Sequence, residues 1–200
     1  MALASGLNAF AGYGTANWLA SFFIRSHEMS TGELGTWLAM STGLAGAFGI
    51  FLGGVLGDRF GKKDKRWYLW VPGLATALVA PFMIIVLLTG SQFLALICVF
   101  IPGFLQNVYL GNSIATTHNL VGLRWRSTAS ALLFLILNII GLGMGPFAVG
   151  LLSDAFTPTL GMEALRYSML ILLPTAMIWS SLHFYIASRT LYKDLEGVPD

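Results

Sequence analysis

The chain has 200 residues, of which 56% are hydrophobic and 10% carry a charge, and its formal net charge is +2. A soluble domain usually has about 25% charged residues, so this chain cannot cover itself with a polar shell. The composition therefore excludes a soluble globular protein and indicates an integral membrane protein.

Six segments are long enough to cross the hydrocarbon core of a bilayer, which needs about 20 residues. They are evenly apolar and do not alternate as the strands of a membrane barrel do, so helices are expected. In chain order they cover residues 3–24, 34–56, 68–89, 93–116, 128–152 and 167–187. The sequence therefore predicts an all-α membrane protein with six transmembrane helices.

Capping and turn residues separate these segments. Residues 30–33, Ser-Thr-Gly-Glu, have the pattern of a capping box that opens the second helix. Residues 90–92, Gly-Ser-Gln, predict a tight turn between the third and fourth helices, and Thr157 and Pro158 are expected in the loop before the sixth.

Positive charge orients the predicted bundle, because loops rich in Lys and Arg stay in the cytoplasm. With six spans, the two termini and the second and fourth loops share one face. That face has nine of the eleven cationic residues: Arg59, Lys62, Lys63, Lys65, Arg66, Arg124, Arg126, Arg189 and Lys193. Only Arg25 and Arg166 lie on the other face. Both termini are therefore expected in the cytoplasm, with the chain in the plasma membrane (the inner membrane of a bacterium).

A short internal repeat divides the chain into two units. Residues 54–60, Gly-Val-Leu-Gly-Asp-Arg-Phe, are echoed 96 positions later by residues 150–156, Gly-Leu-Leu-Ser-Asp-Ala-Phe. Each unit has three spans, an odd number, so the second unit is inverted in the membrane, as is typical of secondary transporters. We expect one domain over 1–200, with repeats at 1–89 and 93–187 and a cytoplasmic tail at 188–200.

Residues 54–63, Gly-x-Leu-x-Asp-Arg-x-Gly-Lys-Lys, resemble the signature loop between the second and third helices of each half of a major facilitator superfamily transporter. Residues 10–18, residues 126–129 and the glycine-rich stretch 141–154 resemble the spinster-like branch and its bacterial relatives. The resemblance implies a six-helix half, most like the C-terminal half of a twelve-helix transporter. Either the chain is a fragment that lacks the N-terminal half, which we prefer, or two copies pair.

The resemblance also implies that the cationic loop is a conformational latch that ties the two halves together in one transport state. The alternative is that it only sets topology. In this region Asp58 can accept hydrogen bonds from a helix N-terminus or pair with Arg124 or Arg126, and glycines permit a tight turn. The residues assigned to the latch are Gly54, Gly57, Asp58, Arg59, Gly61, Lys62, Lys63 and Arg126.

Polar residues of the fourth span fall within an arc of about 140° at 100° per residue. Such side chains face protein or water, so they line a substrate pathway or form hydrogen bonds between helices. The candidate pathway residues are Tyr13, Asn17, Trp18, Gln106, Tyr109, Asn112, Thr116 and Asn138. In the fifth span, small residues predict close helix packing or a hinge: Gly141, Gly145, Pro146 and Gly150.

The resemblance implies secondary transport of a small organic or amphiphilic solute by alternating access. No cofactor or metal is expected, because no ligand cluster, phosphate-binding loop or nucleic-acid patch is present. No Asp, Glu, Lys or Arg lies in the middle of a span, so ion coupling is not expected in this half. Two alternatives are a non-transporting membrane subunit and a rhomboid-type intramembrane protease with Ser113 and His183. Ile114 replaces the glycine that the protease motif requires after its serine, which argues against the protease.

Overall fold

The computed structural model describes residues 1–197, which form six helices joined by short turns and contain no strand. Each helix coincides with one of the six predicted spans and extends it at one or both ends. In chain order they are α1 (Ala2–His27), α2 (Thr31–Gly61), α3 (Trp67–Leu88), α4 (Gln92–Asn119), α5 (126–160) and α6 (Ala164–Glu196).

Four helical stretches are long and apolar enough to cross a membrane by length and composition alone: α2, α3, α4 and the 74 residues from Leu123 to Glu196. The last stretch holds two helices, because the chain reverses at Gly161, where φ is +55°. Helix α1 is less apolar since it includes Ser5, Asn8 and Asn17.

The middle helix of each repeat, α2 or α5, contains a wide, π-type turn. In α2 this turn covers Ala39–Leu44, and in α5 it covers Leu137–Met144. The first residues of the two turns are 98 positions apart, close to the 96-residue offset of the sequence repeat. Helix α4 instead tightens over residues 106–108, four residues after Pro102.

Three helices extend beyond the spans that the sequence predicts. Helix α2 continues through Gly61, so the cationic loop is reduced to residues 62–66, and Pro158 lies within the last turns of α5. Residues 188–196, predicted as a tail, continue α6; residues 198–200 of that tail lie outside the described residues. The predicted cap of α2 is confirmed, because the Ser30 hydroxyl accepts a hydrogen bond from the Glu33 amide at 3.4 Å.

Helices α1, α3 and α6 pack closely around the largest buried cluster, which includes Phe22, Phe23, Met83 and Met177. Large apolar side chains also cover the outside: Phe51, Phe93 and Phe147 are each more than 65% exposed. Apolar side chains on both the inside and the outside suit a bundle surrounded by lipid.

Buried glycines bring α2 against α4. A Cβ atom on Gly49 would overlap the main-chain carbonyl oxygen of Phe104, and one on Gly53 would overlap that of Val108. Glycines at this spacing allow the backbones of membrane helices to approach closely. The sequence analysis did not predict the packing role of Gly49, although Gly49 and Gly53 have the four-residue spacing of small residues that favours close packing.

Candidate functional site

A cavity of about 310 Å³ lies between α1, α2, α3 and α4. Its wall is mostly apolar, with Leu19, Met83 and Val99 among the lining residues. Its polar lining consists of Tyr13, Thr15, Thr42, Gln106, Asn107 and Tyr109, and among residues 1–197 no charged side chain lines it. The cavity therefore offers hydrogen bonds and apolar contact to a bound molecule, without a fixed charge.

Gln106 lies at the centre of the polar contacts in this cavity. Its side-chain nitrogen donates to the main-chain oxygen of Asn8 at 2.8 Å and also to the Asn8 side-chain oxygen. The Asn8 nitrogen in turn donates to the Thr76 hydroxyl. This chain of hydrogen bonds joins α4, α1 and α3. The Thr15 hydroxyl, also in the cavity lining, has no hydrogen-bond partner among residues 1–197.

The structure separates the predicted pathway residues of α4 into two groups. Gln106 and Tyr109 line the cavity, but Asn112 and Thr116 are buried away from it. The Asn112 side-chain nitrogen donates to the Gly53 oxygen at 2.8 Å and to the Val108 oxygen at 3.1 Å. Asn112 therefore forms a hydrogen bond between helices, which the sequence analysis gave as the alternative to lining a substrate pathway.

Among the other predicted pathway residues, only Tyr13 lines the cavity. The side-chain nitrogens of Asn17 and Asn138 donate to carbonyl oxygens four residues earlier in their own helices, at 2.9 and 2.7 Å. The Trp18 indole N–H donates to the Pro146 oxygen at 2.8 Å, which joins α1 to α5.

The predicted packing and hinge residues lie where α5 meets α1. A Cβ atom on Gly141 would overlap Ala9, and one on Gly145 would overlap the carbonyl oxygen of Phe10. Gly150 faces the Trp18 indole. These contacts leave no room for larger residues at 141 and 145. A hinge at this point stays a prediction.

The predicted latch region is mostly helical. Gly57 and Gly61 are buried within α2, against Asn112 and Tyr68, and Gly54 faces open space. Since the helix continues through all three, the expected tight turn at these glycines was wrong. The predicted latch cations Arg59, Lys62 and Lys63 are exposed. Arg126, at the start of α5, is also exposed.

Asp58 accepts a hydrogen bond from the Tyr68 hydroxyl at 3.1 Å. The one ion pair within residues 1–197 joins Arg166 to Glu163, so the expected pairing of Asp58 with Arg124 or Arg126 is not made in this conformation. The Asp58 carboxylate instead connects the end of α2 to the start of α3.

The end of α6 contacts the cationic loop at residues 62–66. The sequence analysis did not predict this contact. Asp64 accepts hydrogen bonds from the Arg66 amide at 2.8 Å and from the Tyr192 hydroxyl at 3.1 Å. The Arg66 guanidinium lies 5.4 Å from the centre of the Tyr192 ring. The available signal was the recurrence of Tyr185, Arg189 and Tyr192 at helical spacing across the end of the last predicted span.

The two residues of the protease alternative do not form a catalytic pair. The Ser113 hydroxyl is hydrogen-bonded to that of Ser5 at 2.8 Å, and Nδ1 of His183 lies 2.9 Å from the main-chain oxygen of Trp179. A serine nucleophile needs a base within hydrogen-bond reach, and these contacts provide none.

Three comparisons identify similar proteins. The chain matches the family model of the Major Facilitator Superfamily over residues 1–199. A curated relative, an MFS-type efflux pump of Mycolicibacterium smegmatis, is 32% identical over 185 residues, which are 92% of this chain and 43% of the relative.

Two similar crystal structures are of a bacterial homolog to the human lysosomal transporter Spinster, both inward-facing, one occupied and one unoccupied. Their TM-scores are 0.74 and 0.75 at 26% and 27% identity, over 98% and 96% of this chain. The matches cover 48% and 47% of those structures, so the chain spans less than half the length of the relatives that it matches.

Proposed function

The chain belongs to the major facilitator superfamily, and from that premise we propose that it is one six-helix half of a secondary transporter for a small organic or amphiphilic solute. The family and these relatives are transporters, so the chain is an integral membrane transport protein and not an enzyme. The protease hypothesis was wrong. The fold of the chain is half of a major facilitator fold, with two inverted three-helix repeats.

The observation that carries the proposed solute class is the cavity beside Gln106. Tyr13 and Tyr109 give it aromatic faces with hydroxyl groups, and Gln106 gives it an amide. A solute with both apolar and hydrogen-bonding parts is complementary to such a lining. Lysolipid-like amphiphiles therefore fit this wall better than sugar acids, whose carboxylate would find no cation among its lining residues.

We infer that the solute is enclosed between this chain and a second six-helix unit, by alternating access. The second unit is an N-terminal half or a second copy of this chain. Coupling, as symport or antiport, is assigned to that unit, because the part of the chain that the structure describes places no carboxylate or cation in the cavity lining. The efflux activity named for the Mycolicibacterium smegmatis relative is the reason to test export first.

Both termini and the loop at residues 62–66 are assigned to the cytoplasm, on the basis of the distribution of Lys and Arg. The loop and Asp58 are assigned the latch function. The hydrogen bond from Tyr68 to Asp58 supports this, since it presents the carboxylate at the end of α2 in a defined position.

A thermal-shift screen of the purified protein tests the solute class, because a ligand that binds the folded state stabilises it by about 2.7 kcal/mol at 100 times its dissociation constant. We expect lysophosphatidylcholine, added below its micelle concentration, to raise the melting temperature more than gluconate does. Gln106→Ala should remove that shift. A larger shift with gluconate, unaffected by Gln106→Ala, would contradict the proposed solute class.

A further inference from the structure

A second concave surface lies on the outside of the bundle, between α3 and α6, and has a volume of about 520 Å³. It is separate from the cavity beside Gln106, with which it shares no lining residue. Its walls are formed mainly by Trp70, Gly73 and Leu74 of α3 and by Ile178, Leu182 and Tyr185 of α6. We refer to it as the α3–α6 groove.

The groove is apolar and open to the surrounding lipid. Leu74, Ile178 and Leu182 are each more than 50% exposed, while Gly73 provides no side chain to fill the space between the helices. A hydrocarbon chain can lie in such a groove without leaving any polar group unpaired.

One end of the groove lies beside the cationic loop. Trp70 comes four residues, or one helical turn, after Arg66, and its indole N–H donates to the Ser188 hydroxyl of α6 at 2.9 Å. Trp and Tyr side chains are enriched at the level of the lipid headgroups. Trp70 and Tyr185 therefore place this end of the groove at the headgroup level of the leaflet on the loop side.

Cations extend from that end of the groove. An Arg189 nitrogen donates to the Tyr185 hydroxyl at 2.9 Å, and its guanidinium lies 5.1 Å from the centre of the Tyr185 ring. Lys193 follows one turn later and is exposed. Among residues 1–197 the one ion pair joins Arg166 to Glu163, so Arg189 forms no ion pair with a described carboxylate.

Two nearby carboxylates accept hydrogen bonds from hydroxyl or amide groups and form no ion pair with Arg189. Asp194 accepts a hydrogen bond from the Thr190 hydroxyl at 2.8 Å. Asp64 accepts from the Arg66 amide and the Tyr192 hydroxyl. Since no carboxylate among residues 1–197 pairs with Arg189, its guanidinium can contact an anion at this end of the groove.

We propose that the α3–α6 groove binds an anionic phospholipid of the leaflet on the side of the cationic loop. One acyl chain lies along Leu74, Ile178 and Leu182, and the phosphate contacts Arg189. A guanidinium donates to phosphate in a fixed geometry, and basic sites between membrane helices bind anionic headgroups. This site is distinct from the solute cavity, so the proposal does not depend on which solute is transported.

Native mass spectrometry of the intact protein in detergent tests this site, with 1-palmitoyl-2-oleoyl phosphatidylglycerol or phosphatidylcholine as the added lipid. We expect the first bound complex to favour phosphatidylglycerol by about fivefold, since one cation near a membrane surface contributes about that much. Arg189→Gln should remove the preference. Leu74→Trp, which fills the groove, should reduce retention of both lipids.

Two matched variants act as controls. Arg124→Gln removes an exposed cation away from the groove, and Leu132→Trp changes a leucine of α5 that is 56% exposed and does not line it. Neither should change lipid retention. Equal binding of the two lipids, or full retention by Leu74→Trp, would overturn the proposal. A dimer that Leu74→Trp dissociates would also overturn it, because the groove would then be an interface between copies.

Discussion

Gly49 and Gly145 occupy equivalent positions in the two inverted repeats. They are 96 residues apart, and each lies against a main-chain carbonyl oxygen of a facing helix, that of Phe104 for Gly49 and that of Phe10 for Gly145. Helix α2 therefore packs on α4 in the same way as α5 packs on α1. The same offset of 96 residues separates the two copies of the seven-residue echo in the sequence.

Gly49→Ala is expected to destabilise the protein by about 1–3 kcal/mol, the usual cost of overpacking a tight contact. The new methyl group would force α2 away from the Phe104 oxygen. Gly54→Ala is the matched control, because a Cβ atom at Gly54 meets nothing within 4 Å. Fluorescence-detected size-exclusion chromatography after heating measures both, and equal loss for the two variants would contradict the packing argument.

Gln106→Ala and Asn112→Ala are expected to fail in different ways. Gln106 lines the cavity, so its loss should weaken solute binding by at least about tenfold, the effect of one hydrogen bond of roughly 1.4 kcal/mol. Asn112 joins α4 to α2 outside the cavity, so its loss should lower the melting temperature and leave the affinity of the remaining folded protein unchanged. Equilibrium binding and melting measured on the same samples separate the two effects.

Asp58→Asn, made in the full-length transporter, is expected to abolish most transport while membrane insertion stays normal. Tyr68→Phe removes the hydroxyl that donates to Asp58, and we expect a smaller loss because the carboxylate remains. Solute flux in proteoliposomes measures the effect, with insertion checked by the yield of protein in purified membranes. Normal flux through Asp58→Asn would remove the latch hypothesis.

Stability is expected to fall as the pH drops below about 6.5, the ordinary pKa of histidine. The reason is that burial and the Arg166 charge lower the pKa of His27, while Glu163 has a smaller opposing effect. His27 lies beyond the membrane span at the end of α1, with Phe22 and Phe23 each 5.5 Å from its ring. The unfolded chain binds a proton first as the pH falls, which favours unfolding. His27→Gln should flatten this slope between pH 7 and 5, as measured by thermal unfolding across that range.

Lys63→Cys and Thr159→Cys, each in a Cys98→Ala background, are expected to label from opposite sides of the membrane. Both positions are exposed, and the native Cys98 is buried. A membrane-impermeant maleimide added to intact cells should label position 159 and spare position 63 until the cells are opened. Labelling of position 63 in intact cells would reverse the proposed orientation.

The number of helices and the membrane location followed from the sequence, because hydropathy and the distribution of Lys and Arg are local properties that can be read residue by residue. The tertiary structure decided which polar residues meet. Gln106 and Asn112 belong to one polar arc of one helix, yet the first lines a cavity and donates to Asn8 of α1, while the second donates to Gly53 of α2 away from that cavity.

Helix α4 tightens between these two residues, at 106–108, and the facing surfaces of α1 and α2 come from distant parts of the chain. The same holds for Tyr192, whose partner Asp64 lies 128 residues earlier. Periodicity along one helix defines which side chains share a face. Whether such a face meets a glycine, an amide or open space depends on contacts between segments far apart in sequence, and only the folded bundle determines those.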